Sequence, residues 1–155
     1  GMTFLQGRLR IGEAMAGPLI EAVRERIAGD DDALVVIDAP PGTACPMATA
    51  VRDVDVACVV TEPTPFGLHD LELTVATVRE LGLPMGVVVN RSDVGDGRAR
   101  ELCERLGVPV LAEIPERRQI AEAYSRGQVV AAVLSEYRLW LEPVLERLEE
   151  LAGRR

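Results

Sequence analysis

Short, wholly apolar runs alternate along this chain with longer stretches in which apolar residues recur every three or four positions. The runs are Ala33–Asp38, Val56–Val60, Met85–Asn90 and Val108–Ala112, rich in valine and apolar at consecutive positions. Consecutive apolar positions place hydrophobic side chains on both faces of an extended chain, and strands buried on both faces imply a parallel sheet covered by helices. The longer stretches predict helices over Cys45–Arg52, Gly67–Leu81, Gly97–Leu106 and Gln119–Arg126, with a final one near Val130–Leu151. Pro143 inside that last helix should kink or break it. Ahead of the first run, Gly7 to Gly12 alternates arginine with Leu9 and Ile11, as a short half-exposed strand does. Pro18 can then open a helix carrying Leu19, Ile20, Val23 and Ile27 as far as Gly29, before the polar break Asp30–Asp32. The expected fold class is α/β, a three-layer parallel sheet with helices on both faces, in a single domain over residues 1–155.

Composition narrows what such a fold can do. The chain has 155 residues, 48% hydrophobic but only 3% aromatic, so the core must be built from Val, Leu, Ile and Ala. The net charge of −8 argues against a nucleic-acid partner, which needs clustered cationic charge. All 17 basic residues are arginine. Cys45, Cys58 and Cys103 show no C-x-x-C spacing, so neither a zinc site nor a run of iron–sulfur ligands is encoded. Cys58 lies in a strand run and is expected in the core. No apolar stretch approaches the roughly 20 residues that span a bilayer, and a cytoplasmic location is expected.

Candidate chemistry gathers where the apolar runs end. Asp38 closes the first run and is followed by Ala39-Pro40-Pro41-Gly42-Thr43, a stiff turn whose glycine can bring a backbone N–H close to an anion. A carboxylate at the C-terminal tip of a strand sits where open α/β sheets bind ligands, and it can hold a metal-bound water. The competing reading is a helix cap, with Thr43 as the rival capping residue. The second run ends in Thr61-Glu62-Pro63-Thr64, the third in Asn90-Arg91-Ser92-Asp93 and the fourth in Ile114-Pro115-Glu116. Asn90 followed by Asp93 echoes an element that reads a purine edge through the Asn amide, although a tetrapeptide of this kind is also an ordinary turn. His69 has no second ligand at metal spacing and reads as a surface residue near a helix start. Cys45 stands at a helix start, where a thiol pKa falls, or is simply packed.

Taken together, these segments resemble the MinD/ParA/Mrp-like P-loop ATPases, the CobQ/CobB/MinD/ParA nucleotide-binding domains, and most of all the MinD-superfamily ATPases with an inserted ferredoxin domain. The residues that carry the likeness are Asp38–Pro46, Val59–Asp70, Val88–Asp93 and Ile114–Pro115. The resemblance implies ATP and Mg2+ as ligands of the complete protein. It implies that Asp38 belongs to the magnesium and water shell, that Gly42 is the turn sensing the γ-phosphate and that Thr43 is beside it. Asn90, Arg91 and Asp93 would lie on the adenine side, with Pro115 by the base and Arg91 able to stack on a purine. A Gly-x-x-x-x-Gly-Lys-Ser/Thr loop is impossible in a chain without lysine. The likeness is therefore to the C-terminal part of such a protein, P-loop NTPase-like but incomplete, with the phosphate-loop strand missing and no iron–sulfur ligands of its own. ATP hydrolysis by this chain alone is not expected. An exposed sheet edge should result, covered by the Leu9–Ile11 strand, by a second copy in a homodimer or by a separate N-terminal half with the phosphate loop and ferredoxin. The alternative is a stand-alone, non-catalytic interaction or oligomerisation domain that retains the fold.

Overall fold

The computed structural model describes residues 2–13, 15–27, 33–43 and 45–153. They form two compact units, residues 1–53 and 54–155.

Among its described residues the first unit holds two helices, α1 (Gly17–Arg24) and α2 (Cys45–Ala50). Arg24 ties them together: its guanidinium donates to the carbonyl of Ala50 at 2.6 Å and to that of Arg52. Two expectations are overturned here. Gly7–Gly12 forms no strand, and Ile11 is fully exposed. Ala33–Asp38 is assigned to no strand and makes no ladder, and Leu34 and Val36 are 65% and 84% exposed. The physical reason is the same for both. A strand exists only through hydrogen bonds to a neighbour, and among the described residues neither segment has one. The expected polar break at Asp30–Asp32 lies outside the described residues.

The second unit is a three-layer α/β arrangement. Its strands β1 (Ala57–Thr61), β2 (Met85–Asn90) and β3 (Val110–Ile114) form a parallel sheet in the order β1-β2-β3. Ala57 pairs with Met85 and Thr61 with Val89, while Asn90 pairs with Ile114. Helices α3 (Pro65–Glu80) and α4 (Arg98–Leu106) make the crossovers, and α5 (Arg118–Ser125), α6 (Val130–Val133) and α7 (Ser135–Leu151) follow β3. On one face Leu71, Val75 and Val78 of α3 and Leu102 and Cys103 of α4 pack against Val59, Val87 and Val89. On the other face Tyr137, Trp140, Leu141 and Val144 of α7 pack against Val88, Leu111 and Ile114. The central strand β2 is thus buried on both sides, which is why its sequence is an unbroken apolar run.

The edge strand β1 is different. Val59 and Thr61 point into the α3 and α4 layer, whereas Cys58 and Val60 face outward, with Val60 65% exposed. Cys58 is therefore a surface residue of an edge strand and not the core residue expected. Among the described residues β1 pairs only with β2, so its other edge is open. Element boundaries also shift. The fourth apolar run forms its strand two residues later than expected, and the last helix breaks at Leu134 while continuing through Pro143.

Candidate functional site

Because the three strands are parallel, the loops after Thr61, Asn90 and Ile114 all leave the same edge of the sheet. The first junction is built tightly. Thr64 caps α3, its hydroxyl accepting from the Gly67 N–H at 3.0 Å, and Pro65 occupies the first turn. The buried Thr61 hydroxyl donates to the Gly67 carbonyl at 2.9 Å. Position 67 must be glycine because a Cβ there would sit 2.3 Å from the Glu62 carbonyl oxygen. These contacts fix the backbone of Glu62 at the sheet edge.

Glu62 is the centre of a polar chain linking all three junctions. One carboxylate oxygen, Oε1, accepts from the Asn90 side-chain amide at 3.4 Å, and the other, Oε2, lies 3.3 Å from Arg91 Nη1. Arg91 then reaches Glu116, past β3, through Nη2 at 3.3 Å. Its backbone is left-handed, φ 53°, a conformation rare outside glycine and one that reverses the chain immediately after β2. The Glu116 carboxylate, and after it Glu62, push the Arg91 guanidinium above its ordinary pKa. Arg91 Nε is buried without a hydrogen-bond partner among the described residues. Asp93 closes the network: its Oδ1 accepts from the Glu116 N–H at 2.6 Å and its Oδ2 lies 3.4 Å from Arg117. That backbone donor, helped by Arg117, holds the Asp93 carboxyl below the usual range. A cavity of about 410 Å³ opens beside β1 and α3, with Thr61, Glu62, Asp70 and Asn90 in its wall.

The family model of the CobQ/CobB/MinD/ParA nucleotide binding domain matches residues 14–130. The chain belongs to this family. Similar proteins include an iron-sulfur cluster carrier protein of Pseudomonas fragi, 32% identical over 135 residues, covering 77% of this chain and 47% of that protein. An uncharacterized protein of Methanocaldococcus jannaschii is 26% identical over 122 residues, 79% of this chain and 42% of the relative. The chain thus spans less than half the length of these curated relatives. Among solved structures, the MinD cell division protein of Aquifex aeolicus superposes with a TM-score of 0.59 at 19% identity, over 90% of this chain and 60% of that one. The MinD-like, P-loop NTPase architecture is therefore shared.

Within this MinD/ParA-family chain, the sequence-selected residues fall into two groups. Asn90, Arg91 and Asp93 come together with the half-buried Pro115 around Glu62 and Glu116. Asp38, Gly42 and Thr43 belong to the first unit, exposed, with Gly42 in a left-handed turn at φ 93°. Asp38 does not end a buried strand, because the run before it is unpaired. Glu62, Glu116 and Arg117 were given no role by the sequence alone; the signal available was opposite charge at neighbouring strand ends. His69 is exposed in the first turns of α3, and Cys45 is exposed at the start of α2. Among the described residues no group of three or more His, Cys, Asp or Glu side chains is suited to a metal, and no helix is long and apolar enough to cross a membrane.

Proposed function

We propose that this chain is the C-terminal portion of a MinD/ParA-type ATP-binding protein and supplies the base-side wall of an adenine-nucleotide site. The observation that supports this reading is the convergence of Asn90, Arg91 and Pro115 on one edge of a parallel sheet in a nucleotide-binding family. The residues present fit a base: a planar guanidinium and an oriented amide lie at the strand ends. A chain without lysine cannot itself form the Gly-x-x-x-x-Gly-Lys-Ser/Thr phosphate loop. In this reading a phosphate-loop half supplies the missing lysine and ATP turnover needs that half, while a second copy in a homodimer brings only further arginines to the phosphates. By the family resemblance, Asp38, Gly42 and Thr43 would serve magnesium and the γ-phosphate. An iron–sulfur association is supported by the name of a relative, with any cluster held by other segments, since Cys103 is buried in the core and the three thiols are spread along the chain. Free thiols suit a reducing cytoplasm.

The test is calorimetry with Mg-ATP and Mg-ADP at protein concentrations that detect millimolar affinity. Saturable binding that is lost in Asn90→Ala is the expected result. Failure of both nucleotides to bind would overturn the reading for this chain and favour a non-catalytic interaction domain, a second reading to which the open edge of β1 and the exposed Val60 lend support.

A further inference from the structure

We infer that Glu62 is a positioning residue that fixes which end of the Asn90 amide is offered to a base, and so sets a preference for 6-amino over 6-oxo purines. This rests on the nucleotide reading above. An ionised carboxylate has only acceptors, whereas a primary amide carries a donor end and an acceptor end. The end of Asn90 that faces Glu62 Oε1, 3.4 Å away, is therefore the NH2. Its carbonyl oxygen is turned away from Glu62. An acceptor in that place pairs with the exocyclic amine of adenine and meets a second acceptor in a 6-oxo base, where two lone pairs oppose each other.

Orientation of this kind requires that Glu62 itself cannot turn. Its second oxygen is held by Arg91 Nη1 at 3.3 Å, and Arg91 is anchored from the far side by Glu116, also at 3.3 Å. The backbone of Glu62 is confined by the close approach of Gly67. The carboxylate thus bridges two donors on successive residues, the Asn90 amide and the Arg91 guanidinium. The left-handed turn at Arg91 lets both of these side chains meet it. Without the carboxylate the amide can flip, and a flipped amide serves either base.

The experiment compares Mg-ATP with Mg-ITP, which differ in the 6-substituent, by calorimetry on the full chain, its Glu62→Gln and Glu62→Ala variants and a Glu72→Gln control at a remote surface ion pair. The wild type should prefer ATP by roughly threefold to tenfold, the range of one net hydrogen bond. In Glu62→Gln, whose carbonyl faces the Arg91 donor and whose NH2 then faces Asn90, the Asn90 amide turns over and that ratio should fall to unity or below, while Glu72→Gln leaves it unchanged. Should Glu62→Ala fail to fold, Glu62→Gln carries the comparison. An unchanged ratio in Glu62→Gln, or an equal loss of affinity for both nucleotides, overturns the proposal while leaving the nucleotide reading intact. A wild type that binds neither nucleotide overturns both.

Discussion

Gly67→Ala tests whether the first junction is as tightly built as its geometry implies. A Cβ at this position would lie 2.3 Å from the Glu62 carbonyl oxygen and 3.2 Å from the Glu62 carbonyl carbon and backbone nitrogen. The nearest of these is main chain, so relief cannot come from a side-chain rotation. The Glu62 carbonyl must retreat by about 1 Å to reach ordinary van der Waals separation. That movement strains the Thr64 cap and the Thr61 hydroxyl bond, both of which end on residue 67. Overpacking of this kind costs about 1–3 kcal/mol, set against a gain of up to about 1 kcal/mol from replacing glycine by alanine in a helix. Taking about 2 kcal/mol of overpacking against about 1 kcal/mol of helix propensity, the net expectation is a loss of about 1 kcal/mol, and for a chain of this size a Tm lower by roughly 2–4 °C. Urea denaturation followed by circular dichroism measures it, with Gly17→Ala as the control, where nothing lies within 4 Å of the added atom. A Gly67→Ala protein as stable as the wild type, or more so, would show that the junction yields without cost.

Two further outcomes follow from the same structure. Leu71, 2% exposed in the core between α3 and the sheet, should lose about 2–5 kcal/mol on Leu71→Ala in urea denaturation, whereas Val60→Ala on the open strand should stay within about 0.5 kcal/mol of the wild type. Asp93 has a folded-state pKa below its ordinary value because the Glu116 N–H and Arg117 favour its charged form. Its contribution to stability is therefore present above the unfolded value of about 3.9 and is lost as pH falls through the lower folded value. The stability difference between wild type and Asp93→Ala should be constant near neutrality and shrink only below about pH 4, and the carboxyl carbon resonance of Asp93 should titrate at a midpoint below the ordinary one.

How far the sequence discloses this molecule depends on whether a feature is set locally or by neighbours. Met85–Asn90 forms its strand over the span of its apolar run, because that run is buried on one face by α3 and α4, which flank it in sequence, and on the other by the distant α7. Ala33–Asp38 has the same apolar character and forms no strand, since hydrophobicity registers a need for burial but says nothing of whether a pairing partner is at hand. Pro143 is expected to kink or break the last helix; the break falls at Leu134, and the helical assignment runs on through the proline. At the candidate site, the grouping of Asn90, Arg91, Asp93 and Pro115 at one sheet edge was legible from their places after strands. The clamp on Arg91 was not, because Glu62 and Glu116 lie 29 and 25 positions away from it and meet it only through the strand order β1-β2-β3.

The open edge of β1 gives the chain a built-in reporter. In a parallel ladder the N–H groups of alternate residues point to the same neighbour, and the Ala57 N–H is bonded to the Pro84 carbonyl on the β2 side. The N–H groups of Cys58 and Val60 consequently point the other way, at the same two positions whose side chains are exposed. Their amide protons should exchange with deuterated solvent far faster than those of β2, which is paired on both sides. Any strand that adds to this edge would slow those two amides and shield the Cys58 thiol from an alkylating reagent together, so completion of the sheet becomes visible as a change in chemical reactivity at a single residue.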